Sequence, residues 1–225
     1  MPPSQPRVLA HRGASGHALE NSLAAFREAR RLGADGVELD IHVARDGSLV
    51  VHHDPVIEGL GPIASHPLSA IRAVPLPNGE PVPSLSDALG VLEGLEVWIE
   101  IKALPAASDA GLLQAIDHSP TPGRCAVHSF HHPIVARLGA LRPSLRRGVL
   151  SDTHPDDPVR TMREAAATVF WQAHHLIDAR LVSAVHRWGG EVVAWTVNTG
   201  AEARRLAELG VDALCGNYPE RLRLG

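Results

Sequence analysis

The sequence predicts an α/β protein in which a single domain, residues 1–225, forms a (β/α)8 barrel. Short apolar segments suited to strands recur along the chain, and amphipathic helical patterns separate them. Strands and helices that alternate over ~200–250 residues are typical of parallel barrels. A doubly wound open sheet is the alternative, but no Gly-x-Gly-x-x-Gly turn follows the first strand. The eight predicted strands lie near residues 8, 38, 98, 126, 148, 170, 194 and 213.

The first predicted unit is a short strand, residues 8–10, followed by a helix over residues 22–32. Apolar residues recur every three or four positions in this helix, as one buried face requires. Asn21 is a candidate N-cap at the start of the helix. The strand leads directly into His11 and Arg12, so both residues follow its C-terminal end.

The second strand, residues 36–41, carries charges where a barrel core would be apolar. Side chains alternate along a strand, so Glu38 and Asp40 share one face and the apolar residues share the other. An Asp-Gly pair then predicts a tight turn that returns the chain as another strand. The returning strand would bring His53 close to the two carboxylates and turn His52 to the opposite side.

Residues 56–83 are rich in proline and glycine, which predicts a short excursion outside the barrel rather than a second domain. Ser84 and the residues after it are typical of a helix start, here for residues 88–92. The third barrel strand covers residues 96–101 and is followed by Lys102. Later strands are predicted at residues 124–129, 147–150, 168–172, 191–197 and 212–215, and helices at 132–141, 158–167, 179–188 and 201–209.

Composition excludes several classes of function. The net charge is −4 and no stripe of lysine and arginine is present, so nucleic acid is not an expected partner. We expect neither export nor stable membrane insertion, and a cytoplasmic location, because no leader pattern opens the sequence and no apolar run approaches 18 residues. Cys125 and Cys215 lie in apolar strands and are expected to be buried free thiols. The oligomeric state is not specified by the sequence.

Three acidic residues on neighbouring strands predict a metal site. Glu38, Asp40 and Glu100 lie at strand ends, and adjacent strands are ~4.8 Å apart, so their oxygens would meet in one small volume. Three unpaired carboxylates would repel one another, and a hard divalent cation is the natural occupant. The alternative is that these carboxylates pair with Arg12 or Lys102.

Two histidines from different strand ends are candidates for proton transfer. His11 and His53 would flank the metal, and one could take a proton from the nucleophile while the other gives one to the leaving alkoxide. Arg12 and Lys102 add positive charge beside the three carboxylates, which leaves these five side chains with a net negative charge. A bound divalent cation would make the net charge positive, and the site would then attract a phosphodiester. Trp195 follows another strand, where a ligand-binding wall and core packing are equally plausible roles.

These motifs together resemble the glycerophosphodiester phosphodiesterase family. The resemblance runs in order from residue 11 to about residue 222. It rests on His11-Arg12-Gly13, Glu20-Asn21-Ser22, Gly36-Val37-Glu38-Leu39-Asp40, His53-Asp54-Pro55, Pro83-Ser84-Leu85, Glu100-Ile101-Lys102, Ser129-Phe130 and Trp195-Thr196-Val197-Asn198.

The resemblance implies a TIM-barrel enzyme that hydrolyses glycerophosphodiesters to glycerol 3-phosphate and an alcohol, with one Mg²⁺ or Ca²⁺ bound. It implies His11 and His53 as the catalytic histidines and Arg12 as the phosphate-binding arginine. It also implies metal binding by the three carboxylates and support from Lys102. The family's Arg-Thr-Thr after the second histidine is replaced here by Val56 and its neighbours, and its Thr-Asp-Tyr-Pro by residues 216–219, which puts the alcohol specificity in doubt.

Two other functions stay open at the level of sequence. One is a phospholipase-D-like phosphodiesterase that acts on lysolipids, which would need an apolar approach surface. The other is a non-catalytic barrel that binds a phosphorylated ligand, against which the two intact histidines argue. Whether water or the neighbouring glycerol hydroxyl attacks first, and which alcohol leaves, are likewise not specified.

Overall fold

A computed structural model describes residues 5–224 and shows a closed parallel barrel. The hydrogen-bonded order of the barrel strands is β1-β11-β10-β9-β8-β7-β6-β2, and the pairing of β1 with β2 closes the ring. The predicted (β/α)8 architecture is therefore confirmed. The strands are β1 Arg7–His11, β2 Gly36–Val43, β3 Leu49–Val51, β4 Val56–Ile57, β5 Gly61–Pro62, β6 Glu96–Ile101, β7 Cys125–Ser129, β8 Arg146–Ser151, β9 Val169–Ala173, β10 Glu191–Trp195 and β11 Ala213–Gly216.

The predicted helices surround the barrel close to their expected positions. The structure adds three helices that the sequence analysis did not specify, at Leu68–Arg72, Asp109–Asp117 and Pro219–Leu222. Ser22, rather than Asn21, caps the first helix, because the Ser22 hydroxyl accepts a hydrogen bond from the Ala25 amide. Asn21 has the left-handed backbone angle φ 55° and lies outside the helix, so the prediction of its capping role was wrong. The helices are α1 Leu23–Arg31, α2 Leu68–Arg72, α3 Leu85–Val91, α4 Asp109–Asp117, α5 His132–Leu141, α6 Pro158–Glu164, α7 Ala179–Arg187, α8 Gly200–Leu209 and α9 Pro219–Leu222.

The excursion after His53 has a small apolar core of its own. It contains β4, β5 and α2, and it packs Ile57, Ile63 and Ile71 against Val50 of β3. The β2–β3 hairpin predicted from the Asp-Gly turn is present as an antiparallel pair. The excursion therefore forms an ordered cover on one side of the barrel mouth, which its high proline and glycine content did not reveal.

The barrel interior is built in layers of four side chains taken from alternate strands, as the register of the parallel pairs requires. Apolar residues on the opposite faces of the same strands pack against the helices; Val37 and Leu39, for example, lie in one cluster with Phe26 of α1. The layer at the N-terminal end consists of Arg7, Glu96, Arg146 and Glu191. Two layers lie at the C-terminal end. The lower of these consists of Glu38, His128, Trp171 and Cys215, and the upper of His11, Glu100, Leu150 and Trp195. The chemistry-bearing side chains thus occupy the layers at the C-terminal end.

Both cysteines are buried free thiols, as expected from the sequence. No helix within residues 5–224 combines the length and the apolar character needed to cross a bilayer.

The lowest layer is a ring of alternating charges that closes the N-terminal end of the barrel. Arg146 lies 2.5 Å from Glu96 and 2.7 Å from Glu191, and Arg7 contacts the same two carboxylates. The Arg146 guanidinium also lies 4.9 Å from the centre of the Trp98 ring. Each charge therefore has two partners of opposite sign at a position where the barrel would otherwise be open to water.

We predict that Arg146→Ala lowers the free energy of unfolding by about 2 kcal/mol, because it leaves two half-buried carboxylates with one partner each. Arg31→Ala, which removes an exposed pair with Glu28 on α1, is the matched control and should change the free energy of unfolding much less. Urea denaturation of both variants measures the difference. Equal losses would contradict a stabilising role for the ring.

Candidate active site

The three predicted carboxylates meet at the C-terminal end of the barrel. Glu38 and Asp40 come from β2 and Glu100 from β6, and the register pairs Asp40 directly with Glu100. One ligand atom from each lies within 4.8 Å of the others, and all three side chains are buried. The spacing and the donor type are those of a site that could hold one metal ion.

Two cations from the predicted set contact the carboxylates. The Lys102 ammonium lies 2.8 Å from Asp40 Oδ1 and 2.5 Å from Glu100 Oε1, and Arg12 Nε lies 3.1 Å from Asp40 Oδ2. The ion pairing left open by the sequence is therefore present for Asp40 and Glu100. Glu38 differs, because it accepts only the Arg12 backbone N–H at 3.1 Å and its Oε1 has no hydrogen-bond partner among residues 5–224.

Burial and crowding change the acidity of this group. Burial raises the pKa of Glu38 well above its ordinary value, and the charges of Asp40 and Glu100 raise it further. Burial and Asp40 together raise the pKa of Glu100 to about 7. Burial opposes ionisation of Asp40 as well, but Lys102 and Arg12 hold the pKa of Asp40 below its usual range. The protein's own cations thus neutralise the cluster only in part.

The loop between β1 and α1 presents Arg12 to this cluster. Arg12 has φ 56°, and Gly13 has φ 79° with its Cα so close to α1 that a Cβ there would lie 2.7 Å from Ala25. Glu20 accepts two hydrogen bonds of 3.0 Å from the Arg12 guanidinium. Asn21 donates to Asp40 Oδ2 at 2.8 Å and accepts from the Asp40 amide at 3.2 Å. Asn21 therefore orients a carboxylate rather than capping a helix.

His11 lies at the edge of the carboxylate cluster. Its Nδ1 is 2.8 Å from the side-chain oxygen of Asn217, which follows β11, so Nδ1 carries the proton and Nε2 is free to accept one. Nε2 is 4.0 Å from Glu38 Oε2. Burial and the neighbouring Arg12 lower the pKa of His11 to about 4, so its imidazole is neutral near pH 7.

His53 reaches the same cavity from the segment that follows β3. Its Nδ1 lies 2.8 Å from an Asp54 carboxylate oxygen, and its backbone carbonyl accepts a hydrogen bond from His42 Nε2 at 2.9 Å. The neighbouring His52 instead bonds the Asp54 carbonyl and lines an adjacent cleft. Both histidines of the HHDP sequence line this cleft, but only His53 also lines the cavity that contains Glu38 and Glu100.

A cavity of about 230 Å³ unites these side chains at the barrel mouth. One wall is charged, and the opposite wall is apolar and includes Trp195, whose ring lies 5.7 Å from that of Phe130. Asp40 is fully buried, contacts Arg12 and Lys102, and is not part of the lining. The lining residues are His11, Arg12, Glu38, His53, Glu100, Lys102, His128, Phe130, Leu150, Trp171 and Trp195.

The sequence of the chain also matches a known protein family. A model of the "Glycerophosphoryl diester phosphodiesterase family" matches residues 11–221. The chain belongs to this family. Membership places it among the phosphodiesterases of the hydrolase class, as the resemblance of the motifs implied.

Relatives within the family match the chain over nearly its whole length. A glycerophosphodiester phosphodiesterase of Caldanaerobacter subterraneus subsp. tengcongensis is 29% identical, with 96% of this chain and 95% of the relative covered. One from Bacillus altitudinis is 26% identical, with 96% of each chain covered. The solved structure of an Oleispira antarctica phosphodiesterase, in complex with the product sn-glycerol-3-phosphate, superimposes with a TM-score of 0.90 at 25% identity, covering 97% of this chain and 95% of that one.

One side chain of the cavity in this family member was missed by the sequence analysis. His128 lies near the C-terminal end of β7, between Val127 and Ser129, and the sequence analysis includes it only as part of a core strand. Alternation along β7 turns His128 inward with Ala126, opposite Val127, and this signal was available from the sequence. His128 is 1% exposed and lies 3.8 Å from Glu38 Oε1.

Proposed function

We propose that this member of the glycerophosphoryl diester phosphodiesterase family hydrolyses glycerophosphodiesters to glycerol 3-phosphate and an alcohol. The observation that carries the proposal is one cavity lined by His11 and His53 from separate strand ends, by Arg12, and by two of three clustered carboxylates. The product named in the Oleispira antarctica complex supports the same reaction for this chain.

The proposal includes one divalent cation, Mg²⁺ or Ca²⁺, held by Glu38, Asp40 and Glu100. The residues fit such an ion, because all three offer carboxylate oxygens, the hard ligands that both cations prefer. The unpaired Glu38 Oε1 and the raised pKa of Glu38 and of Glu100 both point to a missing positive charge in the cluster. When bound, the cation would polarise a phosphoryl oxygen and neutralise charge that develops on it.

Arg12 and Lys102 would hold the phosphate beside the carboxylates. Both side chains line the cavity, and both are fixed by ion pairs with Asp40. Their orientation is therefore set before substrate arrives, which is what electrostatic stabilisation of a transition state requires. Trp195, on the opposite wall, would contact the carbon chain of the substrate.

His11 and His53 would act as base and acid respectively. Asn217 holds the proton on Nδ1 of His11, so the bare Nε2 can take a proton from the attacking hydroxyl. The Asp54 carboxylate accepts a hydrogen bond from Nδ1 of His53 and so orients the ring, which would give a proton to the leaving oxygen. The two rings would thus divide the two proton transfers between them.

The volume of the cavity favours a small substrate over a lysolipid. At about 230 Å³ it is smaller than the ~300–1,000 Å³ of pockets that enclose drug-sized ligands. A second cleft of about 510 Å³ adjoins it and shares His53, so the alcohol portion has space beyond the phosphate. A cytoplasmic site of action is part of the proposal, since two free thiols fit a reducing compartment.

The test is a panel of glycerophosphodiesters assayed with Mg²⁺ and with Ca²⁺. We expect release of glycerol 3-phosphate from glycerophosphocholine or glycerophosphoethanolamine, at rates well above those for lysophosphatidylcholine. Failure to release glycerol 3-phosphate from any of these diesters with either cation would contradict the proposed reaction. Faster cleavage of lysophosphatidylcholine would favour the lysolipid alternative instead.

A further inference from the structure

The floor of the cavity contains a buried imidazole that the proposed reaction does not use. His128 is 1% exposed, and neither of its ring nitrogens has a hydrogen-bond partner within the described chain. The distance of 3.8 Å from its Nε2 to Glu38 Oε1 is too long for a hydrogen bond. A buried polar group without a partner destabilises a fold, so packing alone does not account for a histidine here.

The layers of the barrel explain why this ring reaches the cavity. His128 shares a layer with Glu38 and Trp171, directly below the layer that contains His11 and Glu100. The strand beside it carries Gly148, where a Cβ would lie 2.9 Å from Trp171, so a larger residue would displace the ring that packs on His128. The His128 and Trp171 ring centres are 4.2 Å apart.

Around His128 the cavity combines apolar surface with unpaired nitrogen atoms. Phe130 and Leu150 contribute apolar wall, and Trp171 and Trp195 contribute rings whose indole nitrogens also lack hydrogen-bond partners among residues 5–224. Such a surface matches a short carbon chain that carries hydroxyl groups, with its C–H groups against the rings and its oxygens against the nitrogens.

A hydroxyl is the group that suits this imidazole best. Both ring nitrogens of His128 are free of partners among residues 5–224, and a neutral imidazole offers one donor and one acceptor. A hydroxyl can both donate and accept, and it can therefore pair with either nitrogen. A phosphate oxygen can only accept, and Arg12 and Lys102 already offer it charged donors.

We propose that His128 hydrogen-bonds a hydroxyl of the glycerol moiety and thereby selects a polyol phosphodiester over one with fewer hydroxyls. This inference rests on the proposed function, because it assigns the glycerol half of that substrate to the cavity beside Trp171 and Trp195. His128 acts on specificity, and proton transfer stays with His11 and His53.

The experiment measures the binding of three phosphomonoesters by calorimetry, in the presence of saturating Mg²⁺ or Ca²⁺. They are glycerol 3-phosphate, the phosphate of 1,3-propanediol, which lacks the central hydroxyl, and the 1-phosphate of 1,2-propanediol, which lacks the terminal one. We expect His128→Leu to weaken glycerol 3-phosphate binding by about tenfold or more. The same substitution should have little effect on whichever deoxy compound lacks the hydroxyl that His128 contacts.

His128→Gln keeps a donor and an acceptor near the position of Nε2 and should recover most of the lost affinity. Cys215→Ala changes the same interior layer without touching the cavity lining, and it should leave the ratio of the three affinities unchanged. His128→Leu should also keep or raise the melting temperature, since it removes an unpaired buried polar group. If the leucine variant does not fold, the same three affinities are measured for His128→Asn and His128→Gln. The shorter asparagine amide should lose the preference for glycerol 3-phosphate that the glutamine variant keeps.

Equal weakening of all three compounds by His128→Leu would overturn the inference and indicate an effect through the Glu38 carboxylate. Unchanged affinity for all three would overturn it as well. The expected binding pattern in a protein that releases no glycerol 3-phosphate from any diester would refute the proposed reaction while leaving the role of His128 standing. Turnover of glycerophosphodiesters by a protein whose affinities do not depend on the hydroxyl would refute the role of His128 and leave the proposed reaction standing.

Discussion

His11→Ala is expected to reduce kcat for glycerophosphodiester hydrolysis by about 10²–10⁴-fold, the usual contribution of one general acid or base. The reason is geometric, because the Asn217 side chain fixes the proton on Nδ1 and leaves Nε2 at the cavity as the acceptor. His53→Ala should cause a loss of similar size by removing the proton donor. The measurement is steady-state release of glycerol 3-phosphate at saturating substrate and cation.

Cation binding should survive both substitutions, since the proposed ligands are the three carboxylates and neither histidine is one of them. His52→Ala is the matched control; this ring neighbours His53 in sequence but lines the adjacent cleft, so kcat should change by less than about threefold. A His11→Ala or His53→Ala variant that keeps wild-type kcat would remove that residue from the mechanism. A loss of cation binding in either variant would show that its effect is structural.

Asp40→Asn is expected to abolish both cation binding and turnover. Asp40 is the most enclosed of the three carboxylates, and it contacts Lys102, Arg12 and Asn21 as well as the expected ion. In the wild-type protein a cation at a hundred times its dissociation constant should stabilise the fold by about 2.7 kcal/mol, and the variant should not show this gain. We expect kcat/KM to fall by about 10³-fold or more, the equivalent of several kcal/mol of charge stabilisation.

Thermal denaturation with and without Mg²⁺ or Ca²⁺, alongside the assay after chelation, measures these effects. Asp109→Asn is the control, because Asp109 is also a buried carboxylate but pairs with Arg137 on the outside of the barrel. That variant should lose stability and keep its response to the cation. Full activity of the wild-type protein after exhaustive chelation would contradict the assigned metal requirement.

The barrel and the carboxylate cluster were predictable because both depend on regular geometry. Glu38 and Asp40 share a face by the twofold alternation of a strand, and Glu100 lies on the adjacent strand in register with Asp40. Polar residues at the ends of successive strands then converge at one end of the barrel. His11 follows the same rule, whereas the antiparallel β2–β3 hairpin brings His53 to this end, and both line one cavity with Glu38 and Glu100.

Other features depend on choices that the local sequence leaves open. Asn21 and Ser22 are both good N-cap residues, and only the fold shows that Asn21 is drawn away to Asp40. Alternation along β7 indicates that His128 points inward, but only the register of β7 with its neighbours shows that the ring lies beside Glu38 at the cavity. The core of the excursion consists of apolar residues separated by proline and glycine, which resemble an ordinary loop.

Because β1 pairs with β11, the site around His11 is complete only after the last strand of the barrel has formed. The carboxylates and both histidines are contained in the first half of the chain, but the asparagine that orients His11 follows the strand made last, at Asn217. A growing polypeptide on the ribosome would therefore contain the acidic cluster long before the proposed base is oriented. Only when the last strand docks between the first strand and β10 is the imidazole held in the tautomer that the proposed mechanism needs.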